Sequence, residues 1–419
     1  VGLLMLAKAK MEQICVLVTD GTHDSPKLQV SGVPFIKGKH ISQGFVDFGT
    51  CDFISEKDHI EACRRVKPQA GDVLFSNIGS VGDTARVNVN REFSIKNVAL
   101  FRPNPEIIDQ RYFYYLVANP LFKESMLSLK SGSAQPFITL GSLRGYETTY
   151  HRCFSQQRRI ATILSAYDDL IENNTRRIVI LEEMARRVYE EWFVNFRFPG
   201  HESSCMVVSE LGSVPDGWGL RALGDFGDVV TGKTPSKANA NFYGGDVPFL
   251  KTPDMHGHVF VLAAGESLSN EGARSQANKL IAPRSLCVSC IGTIGVVSIT
   301  VMPCHTNQQI NSLVPSDPTV LEFLFFWLKG AKKSLENLGS NGATMGNVNK
   351  SKFESMKVLT PDSNLLRSFN AATAPMFDLI EMLARQNSNL RTTRDLLLPK
   401  LISGEFDVPE QLDQEEAAA

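Results

Sequence analysis

Two stretches of the chain keep a narrow apolar stripe with a period near 3.5 residues. In residues 155–196, SQQRRIATILSAYDDLIENNTRRIVILEEMARRVYEEWFVNF, apolar side chains step by four and three. They run through Leu164, Tyr167, Ile171, Ile178, Leu181, Ala185, Val188 and Trp192, with Asn174 interrupting. No Gly or Pro falls inside, and Ser155 is the predicted N-cap. Residues 364–402 repeat the pattern through Met376, Ile380, Leu383, Leu390, Leu397 and Leu401, with Asn387 as the polar break. Pro399 predicts a kink in the last turn and Gly404 the stop. Such a narrow stripe is a coiled-coil seam rather than the broader face of a surface helix, and a polar residue in a seam fixes register at a cost in stability. About 40 residues at about 1.5 Å each make each helix a rod of roughly 60 Å.

The remaining sequence is mixed: short β-rich runs, turns rich in Gly, Asn and Ser, and one compact helical stretch in each half (RYFYYLVANPLF and LEFLFFWLKGA). It is also written twice. Val33-Pro-Phe-Ile-Lys37 recurs as Val247-Pro-Phe-Leu-Lys251, Ile78-Gly-Ser-Val-Gly82 as Ile291-Gly-Thr-Ile-Gly295, and Asp169-Leu-Ile-Glu172 as Asp378-Leu-Ile-Glu381. A nearly constant separation over three landmarks marks a duplicated unit, with a period far too long for a solenoid. The expected fold class is α+β: two tandem α/β domains, each followed by a long helix, the helices packing as an antiparallel coiled coil with internal pseudo-two-fold symmetry. The segment FRFPGHESSCMVVSELGSVPDGWG is modest in length, which favours antiparallel over parallel pairing. The predicted boundaries are 1–152, 153–200 (first helix), 201–361, 362–405 (second helix) and an acidic tail, 406–419, expected to be disordered.

Composition changes this picture little. With 43% hydrophobic and 21% charged residues the chain is ordinary for a globular protein, and a net charge of −2 neither announces nor excludes a nucleic-acid partner. No apolar run approaches the roughly 20 residues that cross a membrane, and VGLLMLAKAK is too short and too charged for a secretory signal. The expectation is a cytoplasmic protein without a membrane partner. Eight scattered cysteines then predict free thiols. Cys287-x-x-Cys290 and Cys304-His305 offer zinc-ligand types, but Cys287 and Cys290 read as a buried strand, where positions i and i+3 face opposite ways. His256-x-His258 reads as a solvated loop. No metal site is expected.

One motif asks for an enzyme. GDVVTGKT, residues 227–234, spells the phosphate loop G-x-x-x-x-G-K-T. That loop needs a buried strand entering its first glycine and a helix leaving its Lys-Thr. Here GLRALGDF precedes it, PSKANANFYGGD follows, and no apolar run ends downstream in a magnesium-holding Asp. The expected structure is a strand followed by a turn.

The chain resembles the specificity subunit of type I restriction–modification systems. The resemblance spans nearly the whole chain and rests on DGTHDSP (20–26), SGSAQPFITLGSLRGY (131–146), QQRRIATILSAYDDLIENN (156–174), GWGLRALGDFGDVVTGKTPS (217–236), FYGGDVPFLKTPDM (242–255) and LLLPKLISGEF (396–406). It implies that 1–152 and 201–361 are target recognition domains reading a bipartite double-stranded DNA site, with the helices as spacers. It implies two copies of a methyltransferase subunit, and restriction/translocase subunits, as partners. S-adenosylmethionine, ATP and Mg²⁺ would belong to those partners, with no catalytic residue, cofactor or metal on this chain. The alternative is a stand-alone DNA-binding protein or a two-headed protein scaffold without restriction activity.

Base edges are read by polar side chains on turns. The candidates in the first half are Thr22, His23, Lys37, Ser80, Lys96, Asn97, Ser133 and Gln135. In the second half they are Lys233, Thr234, Lys251, Thr252, Asn307, Gln308, Gln309, Asn341 and Thr344. Lys37 and Lys251 occur in both copies and suit phosphate better than bases. On the first helix, Arg158, Arg159, Arg176, Arg177, Arg186 and Arg187 with interleaved acids form a solvated face or a docking face. Tyr189, Trp192, Phe193 and Phe196 are expected to pack where that helix meets a recognition domain.

Overall fold

Short runs of β-branched and aromatic residues set the first sheet, because such side chains pack well on a pleated, half-buried surface. In the computed structural model, which describes residues 6–42, 44–79, 81–129, 137–209, 212–340 and 346–408, they form four strands. Their order is Cys15–Asp20, Ala99–Pro103, Val73–Phe75, Thr84–Arg86, all antiparallel. A second sheet has Val33–Lys37 at its centre, antiparallel to Asp52–Ile54 and parallel to Ser94–Lys96. The helix Gln110–Ala118, capped by Asp109 accepting from the Arg111 and Tyr112 amides, buries its aromatic residues on the four-stranded sheet. Phe101 and Phe113 lie 6.0 Å apart, and Phe75 and Phe122 meet edge to face at 5.7 Å. Each such ring, removed from water, contributes about 2–3 kcal/mol. These elements belong to one compact unit, residues 1–171 with 389–419.

The other unit, residues 172–388, has the same plan. Its larger sheet runs Gly227–Thr231, Ile310–Pro315, Leu286–Ser289, Val297–Thr300, then a short fifth strand, Phe260–Val261. Its smaller sheet has Tyr243–Leu250 at the centre, antiparallel to Glu266–Leu268 and parallel to His305–Thr306. Apart from that fifth strand, the order repeats that of the first unit. The helix Leu321–Gly330 is apolar on nearly every side because it is covered on nearly every side.

Both long helices are present, Phe154–Tyr189 and Ser363–Ile402. The first continues as a short π-helical turn, Glu190–Val194, and the second ends before Gly404, whose φ is +74°. Each unit contains a segment of both helices, and in each the two segments run antiparallel. In the first unit, Asp168 contacts Arg394, and Ile160, Ala161 and Leu164 pack with Leu398, Leu401 and Ile402; beyond the second helix Gln156 contacts Asp407 and Val408 is buried, so the tail expected to be disordered from 406 starts out ordered. In the second, Asn387 donates to Thr175 Oγ1 at 3.1 Å while Trp192 meets Phe369 at 5.8 Å. Asn174 and Asn387, the two polar breaks, are both buried. Ile171, Ile380 and Leu383 are buried; Tyr167, Ile178, Leu181, Val188, Met376, Leu390 and Leu397 are half-buried along the same stripe.

Three further expectations are corrected. Ser155 lies inside the helix, which starts at Phe154, so the cap position falls to Cys153. Arg159 is buried and donates to Gln156 Oε1 at 2.7 Å, so it does not belong to the outer charged face. The seam also passes between Leu390 and Leu397 through a charged residue, Arg394, which is tolerated because Asp168 faces it and Tyr115 donates to the same carboxylate at 2.6 Å. The aromatic end of the first helix packs as expected: Phe193 lies 4.8 Å from Phe323, and Phe196 meets Trp218 edge to face at 5.3 Å.

Candidate nucleic-acid interface

In the first unit the parallel strand pair sets the register. Phe35, Ile36 and Lys37 lie opposite Ser94, Ile95 and Lys96. The loop after Cys15–Asp20 crosses the end of this pair, with the Thr22 amide bonded to the Ile95 carbonyl at 3.0 Å. The crossing requires a glycine at 21, since a Cβ there would sit 2.1 Å from the Ile95 carbonyl oxygen. Thr22, His23, Lys37, Lys96 and Asn97, distant in sequence, are thereby gathered at one strand end. His23 Nδ1 lies 2.8 Å from Asn97 Oδ1, and His23 Nε2 lies 3.2 Å from Asp20 Oδ2. Lys96 contacts Ser25, and Thr22 is buried, its hydroxyl turned to Asp24. Asn97 takes the left-handed backbone, φ +51°, which Asn tolerates better than most residues.

In the second unit the same construction carries different side chains. Phe249 and Leu250 lie opposite His305 and Thr306. The Lys233 amide bonds the Thr306 carbonyl at 2.9 Å, and a Cβ on Gly232 would meet the Asn307 carbonyl oxygen at 2.1 Å. Thr234 Oγ1 donates to Gln308 Oε1, at the position where His23 meets Asn97. Asn307 is buried and turned on its own loop, donating to Gln309 Oε1 at 2.9 Å. Thr252 is also buried, at the start of a short helical turn, while Lys233 and Gln308 are exposed.

The repeated lysine is framed alike in both units. Lys37 Nζ lies 2.8 Å from Asp52 and 5.6 Å from the centre of the Phe35 ring. Lys251 pairs with Glu266 and sits 5.7 Å from the centre of the Phe249 ring. Each carboxylate comes from the antiparallel neighbour strand, where Asp52 faces Phe35 and Glu266 faces Phe249. The adjacent ammonium holds both carboxyls below the usual carboxylate range. Sequence reasoning misses these two acids, and also Arg65, whose Nε donates to Asp20 Oδ1 at 2.8 Å. The repeat of VPFIK as VPFLK identifies the lysine but not the strand that pairs beside it. Ser80, Ser133, Gln135, Asn341 and Thr344 lie outside the described residues.

The other motifs settle as structure. Gly227–Thr231 is a strand, and residues 232–239 form no helix, so Lys233-Thr234 opens no helix N-terminus for a phosphate. Cys287, Cys290 and Cys304 are buried thiols; burial pushes Cys287 up to about 12 and Cys290 up to about 11. Among the described residues, Glu56, His59 and Glu92 bring ligand-type atoms within 4.8 Å of one another, but Lys67 already pairs with Glu92 and supplies the positive charge. Of the arginines on the first helix, Arg176 pairs with Glu172, and Arg186 and Arg187 share Glu183.

Comparison with known proteins gives this arrangement a family. The family model described as the type I restriction modification DNA specificity domain matches twice, over residues 9–183 and 215–364, together more than half of the chain. The specificity subunit of the type I restriction enzyme HindI of Haemophilus influenzae is 32% identical, with 80% of this chain and 86% of that one covered. The MjaIX specificity subunit of Methanocaldococcus jannaschii is 26% identical, covering 85% and 82%. A crystal structure of a type I restriction–modification S subunit from M. genitalium overlays with a TM-score of 0.56 at 15% identity, covering 96% of this chain and 97% of that one, and bears on the fold alone. With its doubled sheets and doubled strand-end sites, the chain belongs to the family of type I restriction–modification specificity subunits.

Proposed function

We infer that this chain is the DNA-reading subunit of a type I restriction–modification complex and that each unit reads one half of a split site. One observation carries the reading: the same strand frame occurs twice, with the same Lys–carboxylate pair and different polar side chains at its tip. A duplicated frame with unlike tips suits two unlike half-sites on one duplex. Segments 1–152 and 201–361 supply the two readers, and the long helices supply the spacing. The chain binds two methyltransferase subunits, because a doubled body offers two similar surfaces for one partner. It does no chemistry of its own; S-adenosylmethionine, ATP and Mg²⁺ are held by the methyltransferase and restriction subunits. No described helix is long and apolar enough to cross a membrane, and a DNA target suits a complex working in the cytoplasm.

The test is to co-express the chain with its methyltransferase partner and map adenine methylation across a genome. The expected result is one split motif with a fixed non-specific spacer. Replacing residues 1–152 by another recognition segment should change one half of that motif and leave the other. Methylation without any split motif, or both halves changing together, would overturn the reading.

A further inference from the structure

In both units the tip of the strand frame is an amide side chain with its oxygen already engaged. Asn97 Oδ1 faces His23 Nδ1 at 2.8 Å, a hydrogen bond in the tautomer whose proton sits on Nδ1. Gln308 Oε1 accepts from the Thr234 hydroxyl. The two amides occupy one structural position. Ile95 and Thr306 lie opposite Ile36 and Leu250 of the repeated strand, and each amide stands two residues further on. Their partners are equivalent too, each standing two residues after the glycine that lets the loop cross, Gly21 or Gly232. Each contact engages the amide oxygen with a protein side chain, which leaves the NH₂ group as the part of the amide for an outside partner.

We propose that Asn97 and Gln308 are the equivalent base-reading residues of the two half-sites, each acting as an oriented donor to a base edge that presents acceptors. Guanine, with O6 and N7, is the preferred partner, and thymine O4 is the second choice; the donor edge of cytosine is refused. His23 and Thr234 are positioning residues that hold the amide against flipping. Lys37 and Lys251, framed identically by carboxylate and ring, contribute equally to both halves and carry no sequence information. This assignment rests on the DNA-reading function proposed above and adds to it the chemistry of one position in each half-site.

Amide-to-carboxylate exchange tests it with little change of shape. Aspartate also tolerates the left-handed backbone of residue 97, so Asn97→Asp keeps the fold while replacing a donor by an acceptor. With the co-expressed methyltransferase complex, Asn97→Asp should lower methylation of the original site by about tenfold or more and shift one position of the first half-site toward cytosine or adenine. The second half-site should stay unchanged, which also reports that the complex is intact. Gln308→Glu should give the mirror result. His23→Ala, which releases the amide to turn over, should broaden the same position as Asn97→Asp without moving the others. If Asn97→Asp and Gln308→Glu both leave the motif unchanged while exchange of residues 1–152 still alters one half, this assignment falls and the DNA-reading function stands. If the unaltered complex gives no split motif, the function itself falls.

Discussion

Glu322 carries a carboxyl into the apolar face of the helix Leu321–Gly330, where it is only 3% exposed and accepts from Asn370 Nδ2 at 2.8 Å. Burial raises its pKa, and the Asn370 bond offsets this only in part. A raised native value means that the folded chain holds this proton more tightly than the unfolded one. The stability it gives is complete below the ordinary glutamate value of about 4.3 and declines as pH rises through the native value. Glu322→Gln keeps an acceptor for Asn370 and cannot ionise. Its melting temperature should exceed that of the unaltered chain at pH 8 and converge with it near pH 4, as measured by scanning calorimetry across that range; a constant difference would reject burial of the charge as the cause. A second residue, Arg284, takes a left-handed φ of +62°, near the close of a turn before the strand Leu286–Ser289; its head group pairs with Asp378 and Glu381 over the Phe260 ring. Neither residue is legible in sequence. Glu322 looks like the polar edge of LEFLFFWLKGA, and nothing local marks Arg284 as strained.

At the scale of elements, the long helices are the most legible part of the chain, because a 3-4 stripe sustained over many turns fits a paired helix and little else. Their charged contact is the least legible. Arg394 interrupts the seam, and the partner that makes it tolerable, Asp168, lies 226 residues away. Tyr115, from a third element, completes the set. Breaking such a pair on one side costs more than removing both sides, since a lone partly buried charge keeps its desolvation cost. Arg394→Met should therefore destabilise the first unit by about 2–3 kcal/mol, while the double variant Asp168→Leu with Arg394→Met should recover most of that loss. Denaturant titration of the two single variants, Asp168→Leu and Arg394→Met, and of the double checks this; additive losses would mean that the pair is not coupled. The candidate site sits between these extremes. The strand VPFIK and its repeat VPFLK are plain in the sequence. The gathering of Thr22, His23, Lys37, Lys96 and Asn97 follows once Val33–Lys37 pairs in parallel with Ser94–Lys96, a strand far along the chain. Parallel pairing at such a separation leaves no local mark; the carboxylates that frame the lysines come from the antiparallel neighbours Asp52–Ile54 and Glu266–Leu268, and no repeated motif marks those strands in the sequence.

At the scale of the molecule, one plan serves twice: a larger sheet of the same strand order, a smaller sheet with a parallel edge, a glycine crossing and a polar tip. The first described strand, Leu6–Lys10, lies along Glu147–His151, and the second helix ends at the same place. His151 Nε2 meets the Leu401 carbonyl at 2.9 Å, and a Cβ on Gly404 would lie 3.7 Å from Leu6 Cδ1. Segments that lie side by side in this way allow a chain to be joined there and opened elsewhere. Joining them through a short linker and cutting the exposed turn between Pro199 and Gly200 should give a permuted protein that, co-expressed with the methyltransferase partner, still directs methylation to the same split motif, as genome mapping would report; failure to form a complex would show that the linkage at 199–200 is needed. Viewed as a closed ring, the polypeptide has neither a first nor a second reader, and the order in which a gene spells them carries no information about the site.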